Sequence, residues 1–231
     1  FKSKIFTAAI IGIFLAVIAS NGPMIFLPVF FQNTKGFTAV EAGLMLIPQG
    51  LGMMVTRPLI GKMIDRMGAR PVVLVSLAIS LLGTLPFIFV HENTNLIWLG
   101  LVLFVRGMGI GGLQMPMMTD IFIGLDKQDI PGASVGQRII QNVGSSFGSA
   151  VISAVVTAVV TSEIAGQMTT KLHQLAAMHT NLTPTVIAKA KTSVEKAVTL
   201  NGYQLGFLVS SIVLIVIAIP AMFLSQKKVN K

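Results

Sequence analysis

The side chains of this 231-residue chain that could do chemistry are few: eight acids, three histidines, 17 lysines and arginines, and no cysteine. They fall into three groups. The first is a dense run, Arg57-Pro58-Leu59-Ile60-Gly61-Lys62-Met63-Ile64-Asp65-Arg66-Met67-Gly68-Ala69-Arg70-Pro71, whose single acid and several bases can form ion pairs that hold or release a neighbouring surface. The second is a set of ionisable groups embedded in or bordering apolar sequence: Arg106 and Asp120 in one run, Glu41 at the start of another. Glu41 and Asp120 are candidates for taking up a proton. The third comprises carboxamides beside helix-breaking residues, namely Asn21 next to Gly22-Pro23, Gln49 next to Pro48 and Gln114 near Pro116. Together with Arg106 they could recognise a solute by hydrogen bonding. Catalysis is not indicated. His91, His173 and His179 fall between apolar runs, and there is no Gly-x-Ser-x-Gly, no His-Glu-x-x-His and no pair of acids inside an apolar run. No catalytic residue, cofactor or metal site is expected, and the lack of cysteine removes disulfides and thiolate ligands as well.

The elements that must position these groups follow from composition. Hydrophobic residues make up 53% of the chain and charged residues 11%, whereas soluble domains carry about 25% charged residues. Crossing a hydrocarbon layer ~30 Å thick takes about 20 mainly apolar residues as helix. Backbone groups in lipid must be satisfied within the segment, so apolar runs of this length are helices. Six such spans are expected, at about 5–31, 39–61, 72–90, 96–125, 132–161 and 202–224, forming one all-α transmembrane domain. The stretch 162–201 reads as a long outer loop with two amphipathic helices. Ile164, Met168, Leu172 and Leu175 lie on the face of one, and Val186, Ile187, Ala190 and Val194 on the face of the other. Thr183-Pro184 supplies an N-cap and a first-turn proline. The opening Phe1-Lys2-Ser3-Lys4 and the apolar stretch to Ser20 imitate a signal peptide, but the run continues to Phe31, long enough to span. A start at Phe1 rather than Met reads as a piece of a longer chain.

The formal charge of +9 is placed by membrane topology rather than by nucleic acid, because the bases lie between apolar runs and not on one polar face. With both termini on the cytoplasmic side of the plasma membrane, eleven bases fall inside: Lys2, Lys4, Arg57, Lys62, Arg66, Arg70, Lys127, Arg138, Lys227, Lys228 and Lys231. The short outer loops hold only Lys35, and 162–201 adds Lys171, Lys189, Lys191 and Lys196. The bias in short loops sets an amino-terminus-inside orientation.

Several of the chemical candidates also have a structural reading. Thr38-Ala39-Val40-Glu41 has the pattern of a capping box, so Glu41 is a cap residue or, alternatively, a titrating carboxylate near the outer mouth. Arg106 lies ten residues into its span, ~15 Å deep at 1.5 Å per residue. A charge at that depth faces the bundle interior, as structural glue or on the transport pathway. Asp120 lies nearer the cytoplasmic end, within reach of water. Gly61 would permit close helix packing, Gly68 a turn closed to other residues, and Asp65 a bond to nearby helix-start amides. Gly107, Gly109, Gly111 and Gly112, then Gly144, Gly148 and Ala150, would let helices approach closely. Thirteen Met and fourteen Phe are ordinary in lipid but could also line a cavity for hydrophobic cations.

Gly61, Asp65, Arg66, Gly68 and Arg70 resemble the cytoplasmic loop signature of the major facilitator superfamily, with Ala69 where a base is frequent. The stretches Arg106-Gly107-Met108-Gly109-Ile110-Gly111-Gly112 through Pro116, and Gln137-Arg138-Ile139-Ile140-Gln141-Asn142-Val143-Gly144-Ser145-Ser146-Phe147-Gly148, look like the fourth and fifth spans of the carboxy-terminal half of drug:proton antiporters with fourteen spans. The resemblance implies one half of a major facilitator fold, with 3+3 inverted repeats. It gives the five loop residues a gating role against the amino-terminal transmembrane half of the same transporter. It further implies export of small amphipathic drugs or toxic compounds in exchange for protons, by alternating access, with the proton-coupling acids of the first eight spans lying outside this sequence. Beside the lipid bilayer, the expected partners are that amino-terminal half, the substrate and protons. Alternatives are proton-coupled uptake, or a non-transporting membrane scaffold or half-transporter.

Overall fold

The structure, a computed structural model, describes residues 4–91, 93–123, 125–177 and 183–226. Lys2, His179, Lys227, Lys228 and Lys231, used above in the charge and histidine arguments, lie outside the described residues. Among the described residues seven α-helices are formed: α1 Lys4–Lys35, α2 Ala39–Leu44, α3 Ile47–Met67, α4 Ala69–Thr84, α5 Leu96–Phe122, α6 Ile130–Ala177 and α7 Pro184–Ala221. A 3-10 turn, Leu85–Phe89, extends α4. Taken with that turn, and with α2 and α3 as one span, six stretches among the described residues are long and apolar enough to cross a membrane. The protein is a multi-pass, all-α transmembrane bundle.

Local chemistry sets several boundaries. Thr38 caps α2 through a reciprocal box: its hydroxyl accepts from the Glu41 amide, and the Glu41 carboxylate accepts from the Thr38 amide at 2.8 Å. Asn95 Oδ1 accepts from the Ile97 amide at 2.8 Å to start α5. Thr183 caps α7 with Pro184 in its first turn, as the sequence suggests. The second span is interrupted at Met45–Leu46, where Pro48 in the opening turn of α3 lacks the amide needed to continue the ladder. That interruption puts Gln49 in the first turn of a helix that begins inside the membrane.

Two expectations need correcting here. The described parts of 162–201 are not helices of their own: residues 162–177 continue α6, which runs to Ala177, and residues 184–201 open α7, which begins at Pro184. In its extension Ala190, Val194 and Val198, four residues apart, are buried, whereas Ile187 is exposed. Asn201 Nδ2 donates to Glu163 Oε2 across the pair at 3.4 Å. Gly61 does not mediate close packing: a Cβ built on it meets nothing nearer than Met115 Cε at 3.9 Å. The close approaches lie along α5. A Cβ on Gly107 would collide with the Gln49 backbone of α3, and one on Gly83 of α4 would collide with the backbone of Arg106. With α3 and α4 packed tightly on either side of α5, the backbone of α5 is held between its neighbours to within a methyl group.

Apolar side chains form two main cores. One joins α1, α4, α5 and α7 through Ile13, Val17, Val73, Leu77, Leu113, Met117 and Ile217. The other lies towards the α4–α5 connection and joins Leu27, Phe30, Phe31, Phe87, Leu103, Ile152, Tyr203 and Phe207. Between them the helices carry Ser20, Gln49, Ser80 and Arg106, all buried.

Candidate functional site

This polar layer is organised by Arg106. Its side chain is 0% exposed. Nη1 donates to Gln49 Oε1 at 2.9 Å and Nη2 to the Ser20 carbonyl at 3.3 Å, while Nε has no partner, nor do the buried hydroxyls of Ser20 and Ser80. No carboxylate pairs with the guanidinium among the described residues. Pro23, three residues on in α1, has no amide to donate to the Ala19 carbonyl, so the helical ladder beside Ser20 is one bond short. The helix remains continuous there, so Gly22-Pro23 does not break the span.

Beside this group lies a cavity of about 310 Å³, at the small end of the ~300–1,000 Å³ typical of ligand sites. Helix α1 contributes Ser20, Asn21 and Met24; α3 contributes Gln49 and Met53; α5 contributes Ile110 and Gln114. The fourth wall is α6, with Gln141, Asn142 and Ser145. Asn21 Nδ2 donates to Ser145 Oγ at 3.1 Å and ties α1 to α6 across it. The three carboxamides singled out from sequence therefore meet at one cavity, with Arg106 directly behind Gln49 and Ser20. Sequence reasoning missed the α6 wall as lining. The signal was present as polar residues at Gln137, Gln141 and Ser145, each four apart on an otherwise apolar helix. Of the Met and Phe residues, Met24 and Met53 reach the cavity and no phenylalanine is among its lining residues.

The five loop residues lie apart from this cavity, at the junction of α3 and α4. Gly68 has φ +85° and joins the two helices directly, a conformation that side-chain-bearing residues rarely adopt. Asp65 and Arg66 are exposed and Arg70 half-buried, and their side chains form no ion pair among the described residues. The anticipated bond from Asp65 to helix-start amides is absent; instead the Arg70 amide donates to the Ser225 carbonyl at 3.1 Å. Ser225 follows α7 and also donates twice to Asp120, from its amide to Oδ2 at 2.8 Å and from its hydroxyl to Oδ1 at 2.7 Å. Asp120 is 1% exposed, so the expected access to water is not present. It fastens α5 to the end of α7. Glu41 is exposed and its carboxylate is engaged in the cap of α2.

A six-helix bundle of this kind, with two apolar cores on either side of a polar cavity, is the architecture of half a 3+3 inverted-repeat transporter. The Major Facilitator Superfamily model matches residues 1–128, more than half of the chain, and the chain belongs to that superfamily. The chain is similar to the uncharacterised MFS-type transporters YhcA (32% identical over 120 residues) and YcnB (33% over 118) of Bacillus subtilis strain 168. It is also similar to the multidrug resistance protein Stp of Mycobacterium tuberculosis, 32% identical over 120 residues. These matches take in 51–52% of this chain but only 22–25% of each relative. The names of these relatives are those of transporters and a resistance protein. The finer resemblance to the carboxy-terminal half of a fourteen-span antiporter is corrected. The family match is at the level of the superfamily, and the described residues hold six membrane-crossing helices.

Proposed function

We propose that this chain forms one six-helix wall of a secondary active transporter that exports amphipathic compounds in exchange for protons. The observation that carries this reading is the cavity of uncharged polar groups from α1, α3, α5 and α6 between two apolar cores. Buried polar groups in a membrane protein are expensive and lie where solutes pass. The name of Stp, a multidrug resistance protein, supports export of drug-like compounds. Asn21, Gln49, Gln114 and Arg106 are this wall's part of the pathway. A complementary six-helix bundle supplies the facing wall, and rocking of the two exposes the cavity to either side in turn.

In this reading the α3–α4 junction faces the cytoplasm and the bundle sits in the plasma membrane with its first helix entering from inside, which the excess of bases in short loops supports. Gly61, Asp65, Arg66, Gly68 and Arg70 form a gate. The exposed Asp65 and Arg66 side chains are free to pair with the complementary bundle in one state and release it in the other. Of the two acids weighed for proton uptake, Glu41 serves the cap and Asp120 the α5–α7 fastening, so proton coupling falls to acids of the complementary bundle. Each proton crossing the membrane supplies ~2.3 kcal/mol per 100 mV. The test is dye efflux into everted vesicles carrying the intact transporter. Asp65→Ala and Arg66→Ala should lower the rate several-fold at equal expression, and unchanged efflux in well-expressed variants would sink the gating role.

A further inference from the structure

The cavity has a definite hydrogen-bonding polarity, and Gln49 sets it. A guanidinium only donates hydrogen bonds. The Gln49 atom 2.9 Å from Arg106 Nη1 must therefore be the carboxamide oxygen. This leaves the Gln49 amino group, which has no partner among the described residues, on a side chain that lines the cavity. A charged donor on the oxygen draws electron density from the amide and makes its N–H groups stronger donors. Across the cavity, Ser145 Oγ already accepts from Asn21, so its own proton remains for a further acceptor. No carboxylate is among the lining residues, and the buried positive charge of Arg106 stands immediately behind them.

We infer that Gln49, polarised by Arg106, is a specificity-determining donor that receives a carboxylate oxygen of the substrate, and that this wall selects against the purely cationic end of a compound. The inference rests on the export reading above and deepens it. A carboxylate oxygen placed here completes the donors of Gln49 and Ser145 and lies in the field of an unpaired guanidinium. An ammonium or a cationic ring meets the same field with the wrong sign.

A matched pair of dyes tests this directly. Rhodamine 110 carries a free carboxyl group and rhodamine 123 is its methyl ester, with the same fluorescent ring system. Both are measured as initial rates in everted vesicles with the intact transporter, wild type and Gln49→Glu. Glutamate keeps the acceptor for Arg106 but removes both N–H donors and adds negative charge. The wild type should favour rhodamine 110, and Gln49→Glu should lower the ratio of the two rates by about tenfold, the equivalent of one lost hydrogen bond to a charged group. If Gln49→Glu does not fold, Ser145→Ala tests the opposing donor and should lower the same ratio by a smaller factor. Movement of both dyes with a ratio indifferent to these substitutions overturns the inference while leaving the export reading standing. A wild type that moves neither dye nor any other amphipathic probe overturns the export reading itself.

Discussion

Helix α5 carries two buried ionisable groups, and they are held in opposite ways. Asp120, near one end, has both oxygens occupied by short bonds from Ser225. Arg106 lies about 21 Å away along the helix axis, is held by a carboxamide and a carbonyl, keeps one nitrogen unpartnered, and stands against the polar cavity. A buried charge that is fully satisfied serves architecture, because its desolvation is offset within the fold. One left short of partners and counter-charge is kept for something beyond the fold. In the transport reading proposed above, the difference separates a fastening from a working site on the same helix.

The comparison can be broken first at its support. Gly107→Leu puts a side chain into the Gln49 backbone. Neither helix can yield without displacing Arg106, so a cost of ~3 kcal/mol or more is expected, seen as loss of monodisperse protein in detergent. A Gly107→Leu protein with wild-type melting behaviour would mean that the α3–α5 approach is not needed. The two charges are then contrasted by neutral near-isosteres. Arg106→Met should leave the melting temperature at or above that of the wild type, since it removes a charge with no counter-ion. It should also lower dye efflux about tenfold or more, the effect of losing a charge-assisted contact to the cavity. Asp120→Leu should show the reverse, losing ~1.5–3 kcal/mol of stability because the two Ser225 donors lose their acceptor, with efflux per folded molecule unchanged. Equal losses in both properties for both variants would erase the distinction drawn here. The smallest effect is expected at Glu41. Gln keeps the oxygen that accepts from Thr38, so Glu41→Gln should leave the pH profile of efflux unmoved, and a displaced profile would restore Glu41 as a proton-titrating group.

Much of the fold was legible because it is local. The spans follow from runs of hydropathy, the cap at Thr38–Glu41 and the N-cap at Thr183 from residues a few positions apart, and the Gly68 turn from the type of one residue between charged neighbours. Burial of Arg106 follows from its depth in an apolar run. Gly61 misled because a glycine in a packed helix looks the same in sequence whether or not a neighbour touches it. The extensions of α6 and α7 were hidden because their amphipathic pattern fits both a surface helix and a continuing one.

The sequence by itself determined that this is a six-span membrane bundle with few charges, since continuous apolar runs of about 20 residues satisfy their own backbone in lipid as helices. Only the tertiary structure decided which polar groups share a site. Asn21 meets Ser145 and Asp120 meets Ser225 across more than a hundred positions. Such pairings depend on which helix faces come together, and that is fixed by the close packing of α5 between α3 and α4 rather than by any local pattern.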